Sequence, residues 1–119
     1  MEPEYTYRAK VIRVVDGDTI DAVVELGFHV SATLRFRILG VDAAERNAKT
    51  AEERASAQKA VEFVSERLLA KSVIVQTTKA DSFGRWLASV FHANGNGVWV
   101  DIAAEMLAEG IAVPYRRKS

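Results

Sequence analysis

The spacing of apolar residues changes near residue 50, and no other feature of the sequence constrains the fold as strongly. Up to residue 39, apolar and polar side chains largely alternate, which is typical of strands that bury one face. Beyond residue 50, apolar side chains recur every three or four positions, as they do on a helix that packs against a core. The chain is therefore expected to combine a sheet with helices around one core.

Three strands joined by short turns are predicted for the first third of the chain. They cover residues 5–15, 19–26 and 30–39, and each is rich in β-branched side chains or alternates in polarity. Between the first two strands, Asp16-Gly17 is a strong signal for a tight hairpin turn. The three strands should form an antiparallel meander.

A helix is predicted over residues 51–70. Thr50 fits the N-cap position of a capping box, and Glu53 fits its third helical position. The apolar residues at helical spacing, which should face the core, are Ala57, Ala60, Val61, Val64 and Leu68.

Two further strands and a second helix complete the pattern. Strands at 72–78 and 86–91 precede a helix over 101–109, which Asp101 should cap and Gly110 should end. The apolar face of this helix is predicted to consist of Ile102, Met106 and Leu107. The order of elements predicts an α+β, mainly β, fold, in which a five-stranded OB-fold barrel carries two packed helices and residues 1–119 form a single domain.

The composition is that of an ordinary globular protein and excludes several kinds of site. Apolar residues make up 49% of the 119 residues and charged residues 27%, and the formal net charge is zero. Because the chain as a whole is not basic, binding of nucleic acid would depend on a local cluster of basic residues. No cysteine is present, so disulfides, thiolate metal sites and a cysteine nucleophile are excluded.

The sequence gives no sign of a membrane anchor or of assembly with other copies. No apolar run approaches the length of a membrane span, and the acidic N-terminus lacks the apolar stretch of a secretory signal. We therefore expect a monomer without a membrane partner, and a cytoplasmic location unless a leader has been removed.

Four acidic residues are expected at one end of the predicted meander. Asp16 and Asp18 flank the first turn, and Asp42 and Glu45 follow the third strand. In a meander the start of the second strand lies beside the end of the third, so Asp18 should lie close to Asp42. Converging carboxylates repel one another unless cations compensate, and an all-oxygen ligand set favours Ca²⁺ or Mg²⁺ over zinc. Each acid alone also has an ordinary explanation in a turn or a solvated loop.

Arg37 and Arg85 are the cations that could complete such a site. Arg37 alternates with Phe36 in the third strand, and Arg85 follows Gly84, where a small residue permits close approach of backbone or ligand. Either arginine alone could equally lie on a solvated strand face, as is expected of Arg35. Carboxylates that hold a hard cation beside arginines are the groups that phosphoryl-transfer chemistry requires.

Three strings of the sequence together resemble the signature motifs of the thermonuclease, or staphylococcal nuclease-like, family. They are Asp16-Gly17-Asp18-Thr19, the run from Arg37 to Glu45, and the run from Asp81 to Arg85. The order and spacing of the motifs agree with the family over roughly residues 7–115. The resemblance implies an OB barrel with a Ca²⁺-dependent, sugar-nonspecific nuclease site, which hydrolyses phosphodiester bonds of DNA and RNA, preferably single-stranded, to give 3′-phosphate products.

The resemblance also implies a role for individual residues. The implied Ca²⁺ ligands are Asp18, Asp42 and the backbone carbonyl of Ala43. The implied catalytic residues are Glu45, which positions the attacking water, and Arg37 and Arg85, which hold the phosphate. Phe83 and Tyr115 are implied to contact the substrate, and Asp16, Thr19 and Gly84 to shape the site.

The chain departs from the family pattern in its loops and at its end. Ala43-Ala44 stands where the family often has Thr-Pro, and Ser82-Phe83 stands where a lysine and a tyrosine are common. Phe83 keeps a stacking face but not a cation or a hydroxyl, so we expect a weaker grip on phosphate with intact chemistry. The third helix of the family is expected to be absent, since the sequence ends at Ser119 as a minimal or a truncated version.

Two other classes of function stay open at this point. The domain could be a noncatalytic OB-fold module that binds nucleic acid or protein, or a small structural subunit whose barrel serves assembly. Noncatalytic relatives typically lose the metal ligands and the arginines. This chain keeps the five residues Asp18, Arg37, Asp42, Glu45 and Arg85.

Overall fold

The computed structural model describes residues 5–80 and 85–115, with the backbone alone given for 78–80. The strands are β1 (Tyr5–Asp16), β2 (Thr19–Gly27), β3 (Val30–Ile38), β4 (Val41–Asp42), β5 (Ser72–Ala80), β6 (Trp86–Ala93), β7 (Trp99–Asp101) and β8 (Val113–Pro114), and the helices are α1 (Ala51–Leu68) and α2 (Ile102–Ala108). Neither helix in this part of the chain is long and apolar enough to cross a membrane.

Five strands close into a barrel. The pairs β1–β2, β2–β3, β1–β5 and β5–β6 are antiparallel, and a short parallel pairing of β3 with β6 joins the two ends of the sheet. Alternate side chains of these strands point inward, and the largest of those fully buried are Phe36, Ile20 and Ile38. The predicted five-stranded, mainly β barrel with two helices is confirmed.

Helix α1 covers one end of the barrel and begins as predicted. The Thr50 hydroxyl accepts a hydrogen bond from the Glu53 N–H at 3.1 Å, and the five residues predicted to face the core are the buried ones. The helix was predicted to end at about residue 70, and it stops at Leu68. Leu69 forms a β-bridge with Val11, and the Val11 carbonyl accepts the Ala70 N–H at 2.8 Å. Pairing with β1 therefore ends the helix.

Helix α2 has the predicted N-cap, since the Asp101 carboxylate accepts the Ala103 N–H at 2.9 Å, and the helix ends at Ala108, one residue before the predicted 109. Gly110 follows in the left-handed conformation, with φ of 70°. The predicted apolar face is partly wrong, since Ala103 is buried and Leu107 is exposed.

A polar network fixes α2 against the barrel and α1. The Glu105 carboxylate of α2 bonds the ring Nε2 of His92, a buried residue of β6, and its other oxygen lies 3.4 Å from Nε of Arg67 in α1. A hydrogen-bonded network of this kind fixes orientation as well as contact, because each buried polar group needs its partner. The segment that follows α2 therefore starts from a defined position relative to the barrel.

Two strands that the sequence pattern did not predict form a separate small sheet. Val41 and Asp42 of β4 pair with Pro114 and Val113 of β8. Each strand has only two residues, which is too short for any period of apolar residues to show. The pairing holds Asp42 between the end of β3 and the C-terminal segment.

The turn between β1 and β2 needs a glycine for a reason other than the predicted one. An Asp-Gly turn usually uses the freedom of glycine at positive φ, but Gly17 does not have a positive φ. A Cβ at this position would lie 2.5 Å from the Cβ of Ala60 in α1 and 3.0 Å from that of Ala43. Gly17 therefore allows the turn to pack directly on the helix.

We predict that Gly17→Ala destabilises the protein by about 1–3 kcal/mol, because the added methyl group overpacks a site walled by two Cβ atoms and backbone. Gly95→Ala is the matched control, since a Cβ there meets no atom within 4 Å, and its effect should stay within about 0.5 kcal/mol. Urea unfolding of both variants measures the difference. Equal stability of the two variants would contradict the packing argument.

Candidate active site

The carboxylate of Asp18 lies at the centre of the site. It is almost buried, with 8% of the residue exposed. Its Oδ1 accepts the Thr19 hydroxyl at 3.0 Å, and its Oδ2 accepts the backbone N–H of Ala43 at 3.0 Å. The β1–β2 turn is thereby tied to the loop after β4.

Arg37 extends from β3 toward the same carboxylate and is itself firmly held. Its Nη1 donates to the carbonyl oxygens of Ile38 at 3.0 Å and Val41 at 2.9 Å. Its Nη2 lies 3.6 Å from Oδ2 of Asp18 and 3.4 Å from Oδ1 of Asp42. One guanidinium nitrogen therefore joins two carboxylates that come from different turns, which confirms the expected closeness of Asp18 and Asp42.

The two carboxylates have different surroundings. Asp18 is enclosed, whereas the side chain of Asp42 is 55% exposed. A buried carboxylate needs its hydrogen-bond donors in place, while an exposed one exchanges partners with water easily. Asp18 is thus the fixed member of the pair, and Asp42 is the member that is open to solvent.

Arg35 was expected on a solvated strand face, and it pairs there with Asp21 of β2. Its Nε and Nη2 donate to the two carboxylate oxygens at 2.7 and 3.1 Å. These hydrogen bonds from Arg35 hold the pKa of Asp21 below its usual value, and they raise the pKa of Arg35. The pair is self-contained, so Arg35 is a poor candidate for a phosphate ligand.

The loop after β4 is anchored to β1 by a residue that the sequence analysis did not single out. Arg46 donates from its backbone N–H to Oδ1 of Asp16 at 3.3 Å, and from Nη2 to the carbonyl of Val14 at 3.0 Å. Asp16 therefore holds the loop that carries Glu45. Arg46 belongs to no motif, and only its position next to Glu45 could have drawn attention to it.

The remaining predicted residues lie around this core. Glu45 is exposed in the loop after β4, and Arg85 is half-buried directly before β6. Tyr115 follows β8, and its ring centroid lies 4.9 Å from Cζ of Arg37, a cation–π contact. The predictions for Phe83 and Gly84 lie outside the described residues.

The acidic side of the site opens into a groove of about 550 Å³ between α1 and the segment after α2. The charged residues that line it are Asp42, Glu53, Glu109 and Lys59. Three acids and one lysine produce a negative potential, which repels a polyanion and attracts cations.

The donor set fits a hard cation. Asp18 and Asp42 supply two carboxylates against the single guanidinium between them. Within residues 5–80 and 85–115, no three acidic or histidine side chains converge as a metal cluster. A cation here would therefore rely on backbone and water oxygens as well, as Ca²⁺ commonly does.

Comparison with known proteins agrees with this geometry. Residues 35–119 match the family described as Staphylococcal nuclease homologue. A micrococcal nuclease of Shigella flexneri is 30% identical over 114 residues, which is 92% of this chain and 59% of that protein. Probable endonucleases named LCL3 are 33% identical in Komagataella phaffii, over 73% of this chain and 38% of the relative, and in Saccharomyces cerevisiae, over 72% and 31%.

The chain belongs to the staphylococcal nuclease-like family, as its motifs predicted. It spans between 31% and 59% of the length of these three relatives. The family match begins at residue 35, after the first motif. The structure brings that first motif, with Asp18, against the second motif, with Arg37 and Asp42.

Proposed function

We propose that this domain is a Ca²⁺-dependent, sugar-nonspecific nuclease that hydrolyses phosphodiester bonds of DNA and RNA, preferably single-stranded. The observation that carries the proposal is the position of Arg37 between Asp18 and Asp42. A guanidinium held beside two carboxylates provides adjacent places for a phosphate and for a hard cation. The names of the relatives, micrococcal nuclease and probable endonuclease, support the same activity.

Asp18, Asp42 and the carbonyl of Ala43 would hold Ca²⁺ at this site. When bound, the ion would neutralise charge on the phosphate and polarise the phosphorus centre. Asp18 is suited to this because its hydrogen bonds from Thr19 and Ala43 fix its orientation. Ligands that are fixed in advance need no rearrangement when the ion binds.

Arg37 would bind the phosphate through nitrogens other than Nη1. Both hydrogens of Nη1 are used by backbone carbonyls, so the guanidinium is already oriented. A phosphate oxygen would be bound by Nε and by Nη2, the nitrogen that also lies beside the carboxylates of Asp18 and Asp42. With Arg85, Arg37 would stabilise the charge that develops on the equatorial oxygens, a contribution that needs no reorganisation during the reaction.

Glu45 would orient the attacking water and accept its proton. The water oxygen forms a bond to phosphorus as the bond from phosphorus to the 5′-oxygen breaks. The products are a 3′-phosphate and a 5′-hydroxyl, which takes its proton from solvent. Glu45 is exposed on a loop that Arg46 anchors to β1, so the carboxylate can reach a substrate held outside the barrel.

The direct test is incubation of single-stranded DNA with the protein in millimolar Ca²⁺ and in excess chelator. We expect degradation with Ca²⁺ and none with chelator, and products that carry 3′-phosphates in end-group analysis. An intact substrate under both conditions would overturn the proposal and leave a noncatalytic binding module. Degradation that is equal in chelator would overturn the requirement for Ca²⁺.

Substitution of the reacting groups should slow turnover without unfolding the protein. Glu45→Ser and Arg85→Ala are each expected to lower kcat by at least about 10²-fold, because each removes an interaction that forms in the transition state. The matched controls are Glu25→Ser and Arg35→Ala, an exposed acid and an arginine already paired with Asp21. Both controls should keep kcat within a few-fold of the parent.

Arg37→Ala is a weaker test, because it also leaves the buried Asp18 without its cation and can lower stability. For Glu45 and Arg85, thermal melts identify any loss of folding separately. A variant that melts like the parent and keeps a parental kcat would refute the role proposed for that residue.

Binding of Ca²⁺ should raise the melting temperature. At a Ca²⁺ concentration ten times the Kd, mass action adds about 1.4 kcal/mol to the free energy of unfolding. For a domain of this size that corresponds to a shift of several degrees. Asp42→Asn should reduce the shift strongly, and Glu25→Gln should leave it unchanged. A melting temperature that does not respond to millimolar Ca²⁺ in the parent would argue against the ligand set.

A further inference from the structure

The end of the barrel opposite α1 contains a cavity that the nuclease chemistry does not use. Its volume is about 290 Å³. The residues that line it are Tyr5, Tyr7, Val24, Leu26, Leu34, Phe36, Thr77 and Trp86. We define this cavity as the barrel mouth. Among the residues that the structure describes, the lining contains three tyrosine or tryptophan rings and no charged side chain, so a charged group would lose its hydration against this lining without compensation.

On two neighbouring strands, β3 and β6, a residue that lines the barrel mouth is the sequence neighbour of an arginine that is proposed to bind phosphate. Phe36 precedes Arg37 in β3, and Trp86 follows Arg85 at the start of β6. Phe36 and Trp86 are also register partners across the parallel pairing that closes the barrel. Because successive side chains in a strand point to opposite faces, the side chain of Arg37 lies on the other face of β3 from Phe36. Phe36 and Trp86 both line the mouth.

The two aromatic residues are differently placed for binding. Phe36 is only 1% exposed and forms the floor, whereas Trp86 is 39% exposed at the rim. Tyr5, which is 51% exposed, lies at another part of the rim. An exposed ring beside a cavity offers a stacking face to a flat molecule, and a volume near 300 Å³ is at the small end of ligand sites.

Charge also directs a bound strand toward the mouth. The groove lined by Asp42 is acidic and repels a polyanion. A polynucleotide whose phosphate contacts Arg37 and Arg85 would therefore avoid that groove. The barrel mouth offers it an apolar lining, in which Phe36 and Trp86 are the sequence neighbours of the two arginines.

We propose that the barrel mouth is a nucleobase subsite, in which a base flanking the scissile phosphate leaves the strand and stacks on Trp86 above Phe36. This rests on the proposed nuclease function and adds the reason for its preference for single strands. A base in a duplex is paired and stacked, so it must be extruded before it can enter. A base in a single strand enters without that cost.

The test compares Trp86→Ala with Trp99→Ala, because Trp99 is also an exposed tryptophan, 48% exposed on β7, but does not line the mouth. Each variant is assayed with Ca²⁺ on an oligothymidylate and on an oligonucleotide of equal length made of abasic residues. We expect Trp86→Ala to raise KM on oligothymidylate by about 5-fold or more with kcat nearly unchanged. Trp99→Ala should behave like the parent.

The abasic substrate separates stacking from a structural role. It has no base to enter the mouth, so Trp86→Ala and the parent should share one KM on it. Trp86→Phe, which keeps an aromatic face, should recover most of the affinity for oligothymidylate. An unchanged KM on oligothymidylate, or an equal rise on both substrates, would overturn the subsite.

Failure of the nuclease proposal gives a different pattern, in which not even the parent cleaves either substrate. Binding is then measured by tryptophan fluorescence in the Trp99→Phe variant, in which Trp86 is the single emitting tryptophan. Quenching by oligothymidylate but not by the abasic strand would support the base site, and no quenching by either would overturn it.

Discussion

The carboxylate of Asp18 is the interaction on which the rest of the site depends. It accepts hydrogen bonds from the Thr19 hydroxyl and the Ala43 N–H, and it lies within 3.6 Å of the Arg37 guanidinium. Its partners come from the first turn, from β3 and from the loop after β4. A nearly buried carboxylate without these partners would be costly, so burial of Asp18 and assembly of the site occur together.

Packing around the barrel buries Asp18 and holds its partners in place. Gly17 packs on Ala60 of α1 with no space for a side chain, so the turn that carries Asp18 lies directly on the helix. On the other side, β8 holds Asp42 in register with Val113, and the Glu105 network holds the helix that precedes β8. Asp18 and Asp42 are therefore both positioned by the packing of helices and strands around them.

The sequence predicted the parts of this structure that depend on local pattern. The buried face of α1, its Thr50 cap and the barrel strands follow from apolar spacing and capping chemistry, which act within a few residues. The closeness of Asp18 and Asp42 followed from the meander alone, since neighbouring antiparallel strands bring the start of one beside the end of the other.

What the pattern could not predict depends on contacts between distant residues. The end of α1 at Leu68 is set by Val11 of β1, and the two-residue strands β4 and β8 exist because their partners meet in space. Arg46 binds a carbonyl 32 positions earlier, and nothing in its neighbourhood in the sequence indicates this. The steric reason for Gly17 was equally hidden, because it lies in a helix more than 40 residues away.

The alternation of β3 and β6 connects the chemistry of the site to the kind of substrate it can use. In the proposed function Arg37 and Arg85 would bind phosphate, and their sequence neighbours Phe36 and Trp86 line the barrel mouth. The charged phosphates would thus meet the arginines, and the uncharged bases would meet the apolar lining of the barrel mouth, one residue away along each strand. A strand with free bases can satisfy both surfaces at once, whereas a duplex can satisfy only the first, because its bases are committed to pairing. The geometry of the closed barrel would in this way favour single-stranded over double-stranded nucleic acid, whatever the base sequence.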